Sequence, residues 1–244
     1  MAGAVPWVTD VRCHAELDST NAEALRLAAD GAPAGTVVVA DTQSAGRGRL
    51  GRSWWSEPGS ALLASWVLRP SLEVERLPLL SLLAGVAAAR ATTASGGVAV
   101  RLKWPNDLVV DDRKLGGILS ESDGRGAVVV GVGINVRQTD FPADIAATAT
   151  SIVAAGGRQP ERAWLLAATL SSFGARMDAP AEALDDYRAM CATLGRDVRV
   201  ELASGDAITG RAVDVATTGA LLLEESGRTI EVASGDVVHL RGND

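Results

Sequence analysis

Cysteine and histidine are almost missing from this chain. In 244 residues the two cysteines, Cys13 and Cys191, stand far apart from each other, and so do the two histidines, His14 and His239. That spacing excludes a histidine-rich metal site and a Cys/His cluster, so no protein metal site is expected. It also argues against Ser–His–Asp chemistry. Two isolated thiols point to a reduced, cytoplasmic setting and not to a disulfide framework. Positive charge is short as well. Lys and Arg total 23 against 30 Asp and Glu, a net charge of −7, which argues against a nucleic-acid polymer as the main partner. No secretory signal is evident. The most apolar stretch, Leu79–Ala94, is broken by Ser81, Arg90, Thr92 and Thr93, so it is expected as a buried helix with no membrane contact.

What is present is concentrated in one loop, Asp41–Pro58, DTQSAGRGRLGRSWWSEP. Gly46, Gly48 and Gly51 alternate with Arg47, Arg49 and Arg52, with Trp54 and Trp55 directly behind. The loop hangs between two apolar runs, Thr36–Ala40 and Ser60–Leu68, both expected as core strands. Glycines let backbone N–H groups approach a ligand closely, and fixed cations beside them suit phosphate or carboxylate. There is no GK[ST] ending, so this is not a Walker loop. The loop leads into a strand and not a helix, so it is not a dinucleotide fingerprint. A flexible surface loop or an RG-type nucleic-acid contact is the competing reading.

Around the loop the chain reads as mixed α and β. Val11–Leu17 is a strand. A helix follows to about Asp30, with Leu25, Ala28 and Ala29 on one face and a Thr20-x-x-Glu23 capping box. Pro78 opens the buried helix. Val98–Trp104 is a strand, and Leu108–Val110 with Lys114–Ser122 forms a hairpin about Asp111–Arg113. Ala127–Val136 is a central strand buried on both faces. Gln138–Gly157 has little pattern. Two amphipathic helices follow, Pro160–Met177 using Trp164, Leu165, Ala168 and Phe173, and Pro180–Leu194 using Leu184, Tyr187 and Met190. After Gly195 come closely spaced short strands, expected as a small closed barrel. The expected division is residues 1–194 and 195–244.

Four segments carry polar residues or glycines that a core would not require. They are Ser19-Thr20-Asn21; Gln43 with the arginine loop; Lys103–Asp107 with Lys114; and Gly131–Val136, where Gly131 and Gly133 weaken a strand unless something must approach the backbone. The motifs GRGRLGRSW, KWPNDL, RKLGGIL and GVGINV resemble the biotin protein ligases, and the resemblance extends over nearly the whole chain. It implies a mixed-sheet α/β (α+β) catalytic domain like the class II aminoacyl-tRNA synthetases, followed by an SH3-like barrel. It implies joining of biotin to ATP to give biotinyl-5′-AMP, with Mg²⁺, and transfer of biotin to one lysine of a biotin carboxyl carrier domain. Few residues precede Ser19, so the form without an N-terminal DNA-binding domain is expected, with no sequence-specific DNA binding. The family includes monomers and dimers.

Residue by residue, the resemblance implies that Ser19, Thr20, Asn21 and Gln43 surround the ureido head of biotin, which offers one carbonyl and two N–H groups. Gly46, Arg47, Gly48 and Arg49 belong to the loop over biotin and phosphate, and Gly116, Gly117 and Gly131 join the biotin side. Arg52, Trp54, Lys103, Asn106, Asp107, Gly133 and Asn135 fall on the nucleotide side. Arg49 and Lys114 serve both and are the expected catalytic cations. Leu50 lies where some relatives have a further basic residue. A lipoate- or octanoate-protein ligase or transferase shares the fold and is the nearest rival, although an aliphatic acyl chain would need an apolar tunnel and not a polar urea site.

Overall fold

The computed structural model describes residues 5–240, so both chain ends of the expected division lie outside the described residues. Seven strands form one mixed sheet. In chain order they are β1 (Asp10–Leu17), β2 (Thr36–Gln43), β3 (Ala61–Leu68), β4 (Arg101–Lys103), β5 (Asp107–Val110), β6 (Arg113–Ser122) and β7 (Val128–Asn135). In space they run β1-β2-β3-β7-β6-β5-β4. β1 and β2 are parallel, and the other neighbours are antiparallel.

Alternation along the strands sorts residues onto two faces. On one face Trp66, Val130, Val132 and Ile134 pack under α2 (Pro78–Gly96), α3 (Arg162–Asp178) and α4 (Pro180–Met190). By length and composition the helical stretch Val74–Gly96 could cross a membrane, but most of it is buried in this core. On the other face α1 (Thr20–Ala29) covers Val38, Val67 and Val129 through Ala24, Leu27 and Ala28. Beyond the N-terminus of α1 no helix among the described residues covers that second face. Leu63, Ser65, Gly131, Gly133 and Asn135 alternate onto it.

Several local expectations are corrected. The capping box does not form: Ser19 is the N-cap residue without a side-chain capping bond, and Glu23 pairs with Arg26 at 2.7 Å. Ala29 is exposed, and Leu27 takes the inward position. Of Val98–Trp104 only Arg101–Lys103 pairs as a strand. On α3, Trp164 is 72% exposed and Ala168 is exposed too; the inward stripe is Leu165, Leu166, Thr169, Leu170 and Phe173. α4 ends at Met190, short of Leu194.

The C-terminal strands are β8 (Asp197–Glu201), β9 (Ala207–Val215), β10 (Leu221–Glu225), β11 (Arg228–Val232) and β12 (Asp236–His239). They form a sheet in the order β11-β10-β9-β8-β12. β11 and β12 are the two end strands of this five-stranded antiparallel sheet. Its apolar residues Val198, Ala212, Leu221 and Val237 belong to the same core cluster as α2. Trp104 makes the central join. Its indole N–H donates to the Gly219 carbonyl at 2.9 Å, and its backbone N–H to the Thr193 hydroxyl at 3.1 Å.

His239 sits in this joint. Arg196 donates to its Nδ1 at 2.9 Å, which leaves the ring proton on Nε2, 3.3 Å from the Thr193 hydroxyl. Burial, then the Lys103 and Arg196 cations, press its pKa from 6.5 to about 4, against the opposing pull of Asp112. The unfolded chain takes up this proton below about pH 6.5, whereas the folded protein resists until about pH 4. Stability is therefore expected to fall as pH drops through that window. His239→Gln should flatten this loss when denaturation midpoints at pH 7 and pH 4.5 are compared. An identical loss in both proteins would refute the assignment.

Candidate active site

The uncovered part of the sheet face floors a cavity of about 430 Å³, a size usual for small-molecule sites. Ser19, Thr20, Asn21, Gln43, Arg47, Gly48, Arg49, Arg52, Trp54, Lys103, Asn106, Asp107, Lys114, Gly117, Gly131, Gly133 and Asn135 all line it. Segments far apart in sequence thus meet around one space. Gly46 and Gly116 do not line the wall. Gly46 is buried beneath the loop, where a side chain would strike the Trp54 carbonyl at 2.6 Å. Gly116 alternates away from Gly117, and a Cβ there would meet the Gly133 carbonyl at 2.6 Å.

One end of the cavity is a polar cluster. Gln43 Oε1 accepts from the Thr20 backbone N–H at 2.7 Å and lies 3.0 Å from the Thr20 hydroxyl. The Ser65 hydroxyl lies 2.8 Å from Thr20 Oγ1 and 2.6 Å from Asn21 Oδ1. Asn21 Nδ2 donates to the Leu119 carbonyl at 3.1 Å and to Glu121 at 2.8 Å. The Asn21 amide rests directly on Gly131, because a Cβ at that position would overlap its Oδ1. Gly131→Ala must therefore push Asn21 aside. Overpacking of this kind costs about 1–3 kcal/mol, so ligand affinity at this end is expected to fall about tenfold or more. Titration of the purified variant with biotin, the ligand the resemblance implies, measures it, and unchanged affinity would contradict the packing argument.

The other end is cationic. The loop closes on itself through Trp54 N–H to the Gly46 carbonyl at 2.9 Å and Gly48 N–H to the Arg52 carbonyl at 2.7 Å. Leu50 takes φ 54° and Gly51 φ 74° at its tip. Arg49 Nη1 reaches Asn106 Oδ1 at 3.4 Å and the Gly235 carbonyl at 3.3 Å. Arg52 pairs with Asp236. The C-terminal sheet thus holds two arginines of the loop through Gly235 and Asp236, where β12 begins. Lys114 Nζ pairs with Asp107 at 2.7 Å. Burial lowers the pKa of Arg49, opposed by Asp236 and Asp107. Burial also lowers that of Lys103, with Asp107 opposing and Lys114 adding to the shift. Incompletely hydrated cations of this kind interact strongly with an entering anion. Trp54 lies against Gly133, where a Cβ would come 2.9 Å from its ring, and its indole N–H is buried without a partner among the described residues.

Sequence reasoning missed the remaining wall. Phe141, Ile145, Thr148 and Ala149 line the cavity from the stretch read as patternless. That stretch is fixed by backbone pairing: Lys114 N–H donates to the Thr148 carbonyl at 2.6 Å, and Thr150 N–H to the Lys114 carbonyl at 2.8 Å. Asn135 braces it, donating to the Thr150 carbonyl at 2.9 Å and accepting from Gln138 at 3.1 Å. Asp236 was missed because only the tertiary fold carries it to the loop. Ser65 did leave a signal, a hydroxyl inside the apolar run SALLASWVL that must find a partner when buried.

A mixed sheet with one uncovered patch, roofed by a glycine–arginine loop, makes a site for a small ligand with one polar and one anionic end. The family described as biotin/lipoate A/B protein ligases matches residues 15–138, and the biotin protein ligase C-terminal domain family matches residues 193–240. A biotin–[acetyl-CoA-carboxylase] ligase of Mycobacterium tuberculosis is 39% identical over 236 residues, covering 93% of this chain and 88% of that protein. A bifunctional ligase/repressor BirA of Bacillus subtilis is 35% identical over 237 residues, covering 92% and 72%. The biotin protein ligase of Aquifex aeolicus, solved in complex with biotin and ATP, superposes with a TM-score of 0.83 at 30% identity, covering 96% of this chain and all (100%) of that one. The chain belongs to the biotin/lipoate A/B protein ligase family, on the branch of the biotin protein ligases.

Proposed function

We propose that the chain activates biotin with ATP and then passes it to a carrier protein. In the first step a biotin carboxylate oxygen attacks the α-phosphorus of ATP, giving biotinyl-5′-AMP and releasing pyrophosphate. In the second, the neutral amine of one lysine on a biotin carboxyl carrier domain attacks the activated carbonyl, forming an amide and releasing AMP. The observation that carries this reading is one continuous cavity with a hydroxyl–amide cluster at one end and Arg49, Lys103 and Lys114 at the other. A urea needs the first and a polyphosphate the second.

In this reading Thr20, Asn21 and Gln43 hold the ureido head, and Trp54 and Gly133 lie toward the adenine. Lys114 and Arg49 face the reacting carboxylate and phosphate. The transition state spreads added negative charge over the phosphate oxygens, and positioned cations stabilise it more than the ground state. No covalent protein nucleophile is needed. ATP enters with Mg²⁺. Among the described residues no group of three His, Cys, Asp or Glu is placed to hold a metal, and Asp107 and Asp236 are engaged by Lys114 and Arg52. Phosphate oxygens and water would then supply most of the ion's ligands. The arginine loop shields the mixed anhydride from water. We place the functional division at 194/195, with the C-terminal sheet steadying the loop.

Biotin-dependent ATP–pyrophosphate exchange, with lipoate and octanoate in parallel, tests the reading. Exchange with biotin alone is expected. Exchange with lipoate or octanoate instead would keep the fold and overturn the substrate.

A further inference from the structure

Glu121 does not line the cavity, yet it touches residues of two segments that do. It lies on β6, seven residues beyond Lys114, on the face shared with Gly117 and Leu119. Its Oε2 accepts from Asn21 Nδ2 at 2.8 Å and from Arg47 Nη2 at 3.1 Å. Asn21 is 4% exposed, and its amide can turn either way. If it flipped, its oxygen would face the Leu119 carbonyl and the Glu121 carboxylate, both acceptors. Glu121 and the Leu119 carbonyl together fix the orientation seen, with Oδ1 toward Ser65 and Gly131. The same carboxylate oxygen holds the first arginine of the loop across the polar end of the cavity.

We infer that Glu121 is a positioning residue that sets both the Asn21 amide and the Arg47 arm of the loop before ligand arrives. One carboxylate thereby couples the headgroup end of the site to the stem of its roof. A buried amide with a fixed donor and acceptor pattern is what discriminates one polar headgroup from another. A loop already held over the site binds with less ordering cost. Arg47 and Glu121 are both partly exposed, so the tether is reversible and sensitive to salt.

Two substitutions separate the arms. Glu121→Gln keeps an acceptor for Asn21 but removes the charge that holds Arg47. Glu121→Ala removes both partners. Amide exchange of residues 46–52 in the ligand-free protein is expected to quicken about threefold or more in Glu121→Gln, with exchange in β3 and β7 unchanged. Biotin Kd should rise about three- to tenfold in Glu121→Gln and further in Glu121→Ala, while the KM for ATP at saturating biotin stays within about twofold. Arg47→Gln combined with Glu121→Gln should exchange no faster than Glu121→Gln alone, because the two act through one contact. Unchanged loop exchange and unchanged biotin Kd in Glu121→Gln would overturn the inference. So would a uniform quickening across the whole sheet, which would mark Glu121 as merely structural. The affinity arm rests on the biotin reading above, whereas the exchange arm needs no ligand. Failure of the wild-type protein to bind biotin would therefore refute the function and leave the tether to be judged by exchange.

Discussion

Lys114→Gln is expected to lower biotin-dependent ATP–pyrophosphate exchange by two to three orders of magnitude, about the effect of removing one preorganised group that stabilises developing charge. Two losses act together. The cation proposed to face the reacting phosphate disappears, and Asp107, held at 2.7 Å by Lys114, loses its ion-pair partner and keeps only the longer-range pull of Arg49 and Lys103. The fold should survive. The Lys114 backbone keeps its pairing with Thr148 and Thr150, and its side chain is 40% exposed, where an ion pair is worth at most about 1 kcal/mol. Kinetics and a thermal melt on the same sample separate the two outcomes. Adding Asp107→Asn to Lys114→Gln should recover part of the loss by removing the orphaned charge. Exchange within about tenfold of wild type in Lys114→Gln alone would remove Lys114 from the chemistry.

Trp104→Ala is expected to be the most destabilising single change, at about 3–5 kcal/mol. The side chain is fully buried and joins the C-terminal sheet to the larger one through its indole N–H and the Gly219 carbonyl. Losing that joint should also loosen the segment carrying Gly235 and Asp236, and with it the grip on Arg49 and Arg52. Trp104→Phe keeps most of the ring volume and removes the donor. It should therefore cost less, about the 1–3 kcal/mol of an unsatisfied buried group, and still raise the KM for ATP. Urea denaturation and ATP kinetics test both variants. A Trp104→Phe enzyme with normal stability and normal ATP KM would show that the N–H bond contributes neither to the joint nor to the loop.

Much of the site was legible because its chemistry is local in sequence. GRGRLGR advertises an anion site by composition. Gly131 and Gly133 stand out because a buried strand has no use for them, and the structure supplies the reasons, the Asn21 amide and the Trp54 ring. The fold was legible where the period was strong, as in β2, β3, β7 and α2. It was not legible where tertiary contact overrides pattern. Trp164 looked inward by hydrophobicity and faces outward, because Leu165 and Leu166 already fill the inner stripe of α3. Glu23 looked like a capping partner, but Arg26 one turn along holds it. The contribution of the C-terminal sheet through Asp236 depends on a packing angle that no periodicity encodes.

The pairing of Lys114 with the 148–150 segment has a consequence for how such a chain can change length. A surface stretch without regular structure usually tolerates insertions and deletions freely. Here the segment joins on to the cavity-lining Lys114 through two backbone bonds, at 2.6 and 2.8 Å, and its far side is pinned to Asn135. One residue gained or lost between Ile145 and Thr150, where the Thr148 and Ala149 N–H groups both donate to the Ile145 carbonyl, would shift that register and turn the neighbouring side chains of the cavity wall. The stretch with the least pattern in the sequence is thus among those least free to vary in length.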